Sequence, residues 1–227
     1  MEQGATIVLT GRDQGRLGEA VAKLGPKASG LRADAGSPTA MDALLKDVKA
    51  RHGRLDTLVA NAVVDDHAPL GKITEEQFDR MIGTNLKGVL FAVQSAMPLM
   101  STDGSIILIG STASVAPPPG MSIYGAIKGG FHGMVRALIQ DLKGTGIRIN
   151  ILSPGAVDTP SLRRALGKAA AAGRVDEIVQ SMAQRSPLRR IGEAREIGEV
   201  AVFLASGASS YVNGVELFVD GGLTQVT

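Results

Sequence analysis

The sequence predicts an α/β fold in which helices cover a parallel sheet. Two observations predict it. Short apolar, β-branched runs recur along the 227 residues, and longer segments with helical spacing of apolar residues lie between them. In addition, no repeat or low-complexity linker divides the chain, so a single domain over 1–227 is expected.

The strand candidates are 5–10, 28–33, 55–61, 104–110, 147–152 and 215–219. Ser37 before Pro38 predicts a helix start, a hydroxyl cap followed by proline at the first helical position. Thr74 with Gln77 three residues on predicts a capping box for a helix running to Met100. A further helix is expected over 122–142, and apolar residues at helical spacing predict another over 193–206. Residues 117–120 read as a turn. The connection 157–190, which includes the small-residue stretch 169–173, is long for a compact domain. Two readings stand for it: a mobile substrate lid, or a surface helix pair with no part in binding.

Composition narrows the function. Charged residues make up 20%, the formal charge is +2 and basic residues are scattered, so no nucleic-acid partner is expected. Without cysteine, disulfides, thiolate catalysis and cysteine metal sites are excluded, and no metal is expected. The longest apolar stretches, such as 88–100, fall short of the roughly 20 residues that span a bilayer. Residues 1–9 show no basic region followed by an apolar run, so the expected compartment is the cytoplasm and no membrane partner is expected.

Tyr124 and Lys128, four apart, would share one helix face. An ammonium beside a phenol lowers its pKa and makes an acid/base couple, although a Tyr-x-x-x-Lys spacing alone also fits an exposed surface pair. Ser111 closes an apolar strand, where open parallel sheets place their ligand crevice. A hydroxyl there can hold a carbonyl while Tyr124 moves the proton. Asn85 falls inside a helical segment, where an amide marks a kink, a water site or a structural polar residue.

These residues and their surroundings resemble the short-chain dehydrogenase/reductase family. The resemblance runs through Leu58-Val59-Ala60-Asn61-Ala62, Thr84-Asn85-Leu86-Lys87-Gly88, and Gly104-Ser105-Ile106-Ile107 leading into Ser111. It continues with Tyr124-Gly125-Ala126-Ile127-Lys128, Asn150-Ile151-Leu152-Ser153-Pro154-Gly155, Thr159 and Val219-Asp220-Gly221-Gly222. It implies a doubly wound, Rossmann-like parallel sheet and hydride transfer between a nicotinamide cofactor and a ketone or secondary alcohol. By that resemblance Tyr124 is the general acid/base and Lys128 lowers its pKa and holds the nicotinamide ribose. Ser111 orients the substrate carbonyl, and Asn85 holds a water that relays protons to Lys128. Asp34 contacts the adenine, Asn61 and Ala62 line the adenosine side, and Pro154, Gly155, Val157 and Thr159 flank the nicotinamide. The resemblance also implies a homo-oligomer, a tetramer or dimer, with contacts from 74–100, 122–142 and 215–227.

The sequence departs from the family at its start. The family opens with a strand, a Thr-Gly-x-x-x-Gly-x-Gly turn and a helix that receives the pyrophosphate. Thr10-Gly11 through Gly18 looks similar, but its third glycine is one position late and Leu17 stands in its place. Aligning 5–12 with the family's second strand instead brings Asp34 and Asn61 into register. Roughly 25–30 residues, the first strand and helix, are then missing. A record truncated relative to the working protein is favoured over a natural short form. A catalytically silent oligomeric or binding protein is the alternative to the enzyme. Val63 stands where the family has glycine, adding bulk against the cofactor or simply being tolerated. Arg12, at the end of the second family strand, favours NADP(H) over NAD(H), because a guanidinium suits a 2′-phosphate. It equally suits a surface ion pair with Asp13 or Glu19.

Overall fold

β-branched and apolar side chains crowd badly in a helix and pack well on a pleated surface, and each such run is a strand here. They are β1 (Ile7–Gly11), β2 (Ala28–Arg32), β3 (Leu55–Ala60), β4 (Met100–Ile109) and β5 (Arg148–Pro154). Two short strands, β6 (Val157–Asp158) and β7 (Gly192–Glu193), precede β8 (Glu216–Val219). This computed structural model describes residues 4–169 and 173–226. The 169–173 stretch and the end of the 215–227 segment lie partly outside them.

The helices begin where their caps dictate. Asp13 caps α1 (Gln14–Leu24), and Ser37 caps α2 (Pro38–His52) by accepting the Ala40 amide at 3.3 Å. Thr74 Oγ1 accepts the Gln77 amide at 3.2 Å and starts α3 (Glu75–Ile82). The expected continuous helix then changes register: Gly83–Gly88 form a π turn before α4 (Val89–Ala96). After β4 comes α5 (Ser122–Asp141), then α6 (Pro160–Ala169), α7 (Val175–Arg185) and α8 (Ala194–Ala205).

All strand pairs are parallel, and alternation along them splits the core between two faces. Ile106 and Leu108 of β4, with Ile149 and Ile151 of β5, pack against Val93 of α4 and Ile127, Phe131 and Val135 of α5. Ile107 and Leu152, on the other face, pack against Leu204 of α8. Helices therefore cover both faces of the sheet, as expected for a doubly wound fold.

The sheet is broken. β3, β4, β5 and β8 form one four-stranded sheet, while β1 and β2 form a separate pair. No backbone pairing joins β1 to β3 among the described residues. What holds the two parts is side-chain packing: Leu45 and Val48 of α2, with Ala96 and Leu99, meet Val8 and Leu31 from one sheet and Leu55 and Leu58 from the other. The break falls where the family resemblance puts the first strand. Val59 of β3 is consequently 46% exposed, whereas Ile106 on β4 is 0% exposed.

Truncation should register this difference. Ile106→Ala is expected to cost about 2–5 kcal/mol and Val59→Ala less than about 1 kcal/mol, as read from urea midpoints at constant slope. Equal costs would mean that β3 is as enclosed as β4.

Candidate active site

The carboxyl ends of the parallel strands collect the residues singled out from the sequence. Arg12 follows β1, Asp34 follows β2, Asn61 and Ala62 follow β3, Ser111 follows β4, and Pro154 closes β5 with Gly155 next. Tyr124 and Lys128 lie on α5, one turn apart. Val157 is in β6, and Thr159 Oγ1 accepts the Leu162 amide at 3.1 Å at the start of α6.

Ser111 is shaped by its own turn. Its Oγ accepts the Ala113 amide at 3.1 Å, and its carbonyl accepts the Ser114 amide at 3.0 Å, tightening residues 111–114 into a 3₁₀ turn. Gly125 lets α5 come close, because a Cβ there would sit 2.8 Å from Pro117 and 3.1 Å from the Ala113 carbonyl. This brings the Tyr124 phenol near the Ser111 hydroxyl. Lys128 is buried, donates to the Ile109 carbonyl, and lies 5.5 Å from the Tyr124 ring centre and 4.9 Å from that of Phe131.

Burial dominates both titrations. It pushes the Tyr124 phenol up to about 12, helped by the Asp65 carboxylate and opposed by the Ser111 hydrogen bond. It also pulls the Lys128 ammonium down to about 8, while Asp65 supports the charge. Lys128 was expected to lower the phenol's pKa. No contribution from the ammonium is resolved at the phenol, whose burial and nearby Asp65 carboxylate favour the neutral form.

Asn85 is tied to the loop after β3. Its Oδ1 accepts the Val64 amide at 2.8 Å and its Nδ2 donates to the Val64 carbonyl at 2.7 Å, so the side chain clamps the loop after β3. The residue sits in the π turn, a widened backbone found mostly at functional sites.

The residues that the family resemblance assigns to a dinucleotide fall into two groups. In the group assigned to the nicotinamide stand Tyr124, Lys128 and the Pro154–Gly155 corner. A Cβ on Gly155 would come within 2.9 Å of Asp220, so this corner needs glycine. In the other group, Arg32 joins Arg12: its Nε donates to the Arg12 carbonyl at 3.1 Å, because Gly11 and Arg32 are register partners. Asp34 accepts the Gly36 amide at 2.9 Å and is exposed. Between these groups a pyrophosphate needs backbone amides at a helix start. The start of α1 does not fit it, because Asp13 accepts the Arg16 amide at 3.0 Å and puts a carboxylate where the anion would lie. Asn61, Ala62 and Val63, in the loop after β3, are exposed.

Reasoning from the sequence missed Arg32 and Asp65. Strand register would have found the first. The second follows Val64 directly, in a loop after a parallel strand, where crevice residues sit.

In the connection 157–190, Arg163 ties α6 to α7, with Nε 2.7 Å from Asp158 Oδ1 and Nη1 3.0 Å from Asp176 Oδ1. A cavity of about 600 Å³ beside α7 is lined by Gln180, Gln184, Arg189 and Glu196. Ser111, Tyr124 and Lys128 are not among its lining residues.

Comparison with known proteins agrees with this geometry. The family described as enoyl-(acyl carrier protein) reductase matches residues 1–224. Oxidoreductase asL5 of Sarocladium schorii is 41% identical over 228 residues, covering 100% of this chain and 88% of the relative. The 3-oxoacyl-(acyl-carrier-protein) reductase of Thermotoga maritima is 36% identical over 182 residues, 79% of this chain and 70% of that one. Among solved structures, a short-chain dehydrogenase/reductase of Brucella melitensis, titled glucose/ribitol dehydrogenase, superposes with TM-score 0.88 at 31% identity. It covers 98% of this chain and 87% of its own. A gluconate 5-dehydrogenase of Burkholderia cenocepacia, in complex with NADP and tartrate, gives TM-score 0.86 at 32% identity over 100% of this chain and 88% of its own.

The titrations of the buried pair carry a stability signature. Between about 8 and 10.5 the unfolded chain keeps the Lys128 proton and the folded one has released it, so stability rises with pH across that window. The raised phenol acts oppositely, and above about 10 stability falls as the unfolded chain loses the Tyr124 proton first. Urea midpoints from pH 8 to 10 should therefore climb in the wild type and stay flatter in Lys128→Met. Identical profiles would contradict the burial of the ammonium.

Proposed function

We propose, because this chain belongs to the short-chain dehydrogenase/reductase family, that it transfers hydride between NADP(H) and a ketone or secondary alcohol. The observation that carries this reading is the Ser111 hydroxyl near the Tyr124 phenol, with Lys128 beside the ring at the carboxyl end of β4. When bound, the cofactor supplies or accepts the hydride.

The chain's own residues manage the oxygen and its proton. In reduction Tyr124 gives its proton to the carbonyl oxygen as that oxygen gains negative charge, and in oxidation it takes the proton back. The high phenol pKa keeps Tyr124 protonated, which suits the donor role. Ser111 donates to the same oxygen, holding the carbonyl in line and stabilising the developing charge. Lys128 would hold the nicotinamide ribose. Asn85 keeps the Val64 loop, and hence Asp65, in place over the pair. Arg12 with Arg32 would take a 2′-phosphate, which is what favours NADP(H) over NAD(H). Connection 157–190 serves as the substrate lid, and the chain works in the cytoplasm as a homo-oligomer.

A second reading, a catalytically silent binding protein, is favoured by one observation. Asp13 occupies the start of α1, and among the described residues β1 and β3 leave their facing edges unpaired and no backbone cradles a pyrophosphate.

Tyr124→Phe decides between them. Turnover of a ketone panel with NADPH is expected to fall by about 10²–10⁴-fold, the usual worth of a general acid, with circular dichroism and urea midpoint retained. A folded Tyr124→Phe that turns substrate over like the wild type would sink the assignment.

A further inference from the structure

A carboxylate removed from water is costly unless donors satisfy it. Glu216 of β8 has a side chain only 3% exposed, and three elements supply its partners. Ser114 Oγ donates to its Oε1 at 2.9 Å, from the turn that begins at Ser111. Ser153 Oγ, from β5, donates to the same oxygen. His132 Nε2, from α5, lies against Oε2, which no hydrogen bond reaches among the described residues. His132 lies one helical turn beyond Lys128 and two beyond Tyr124, on the same side of α5.

We infer that Glu216 is a positioning residue that sets the distance between the Ser111 turn and the helix carrying Tyr124 and Lys128. One carboxylate grips both arms of the site. Ser114 closes the turn by donating its amide to the Ser111 carbonyl at 3.0 Å, so holding Ser114 holds Ser111. His132 anchors α5 to the same point. The surrounding packing leaves no slack, because a Cβ on Gly110 would meet Ser153 Oγ at 2.1 Å and one on Gly129 the Ser114 carbonyl at 3.3 Å. Neither Glu216 nor its partners Ser114, Ser153 and His132 needs to touch the substrate. They act through Ser111 and Tyr124.

The inference rests on Ser111 and Tyr124 being the reacting pair, yet it can be read without turnover. The chain has two tyrosines and no tryptophan, and Tyr211 is fully exposed. Protein labelled with ¹³C at tyrosine Cζ therefore gives one resonance that reports the Ser111–Tyr124 contact and one internal standard.

In Glu216→Leu, and in Ser114→Ala should the first fail to fold, the Tyr124 resonance is expected to shift while that of Tyr211 stays. Glu216→Gln, which still accepts both hydroxyls, should keep the wild-type position. Where wild type turns over a ketone, Glu216→Leu should lower kcat about 10–100-fold with KM for NADPH unchanged, the scale of a sub-ångström to one-ångström misplacement. A Tyr124 resonance unmoved in a folded Glu216→Leu, or in Ser114→Ala if that is the variant that folds, overturns the inference. A shifted resonance in a protein whose wild type has no turnover upholds the positioning role and counts against the proposed enzyme.

Discussion

The candidate site depends on β4 being hydrogen-bonded on both sides. Its register with β3 and β5 is set residue by residue, from Ser105 pairing with Thr57 and Arg148 to Leu108 pairing with Ala60 and Ile151. Apolar side chains on both faces remove the strand from water, and a strand enclosed this way cannot slip by one residue without turning its core side chains outward. Its end is therefore a fixed point. The Ile109 carbonyl that receives Lys128, and the Ser111 hydroxyl that meets Tyr124, both sit there.

Pairing is lost on the far side of β3. The β1–β2 pair is attached through α2 and α4 side chains rather than through a ladder. Apolar packing fixes proximity but carries less directional information than parallel backbone bonds. The residues proposed to hold a dinucleotide are therefore in two parts: Tyr124 and Lys128 attached to the four-stranded sheet, and Arg12 and Arg32 on the two-stranded one. Asp13 makes the division chemical, since a carboxylate at a helix start disfavours a second anion there.

Much of the fold was legible in the sequence. β-branched runs separated by capped helical segments located all six longer strands and the starts of α2 and α3, since burial pattern and capping chemistry are local. The break in the sheet agrees with the spacing, in that aligning 5–12 with the family's second strand brings Asp34 and Asn61 into register. The site was legible as a set of residues but not in its energetics. The sense of the Tyr124 shift depends on burial and on Asp65, which no Tyr-x-x-x-Lys spacing reports. The π turn around Asn85 places the side chain against Val64, a contact 21 positions away. Arg32 beside Arg12, and Glu216 gripping Ser114, Ser153 and His132, need strand register and helix docking before they become neighbours.

The account's central claim is that the two ends of the proposed site engage the cofactor even though the described residues build no pyrophosphate cradle. A titration of the 227-residue chain with NADPH, followed by nicotinamide fluorescence and compared with NADH, tests it most directly. The account predicts saturable NADPH binding about tenfold or more tighter than NADH, the worth of roughly one charge-assisted contact to the 2′-phosphate. Folded protein that binds neither nucleotide would contradict it.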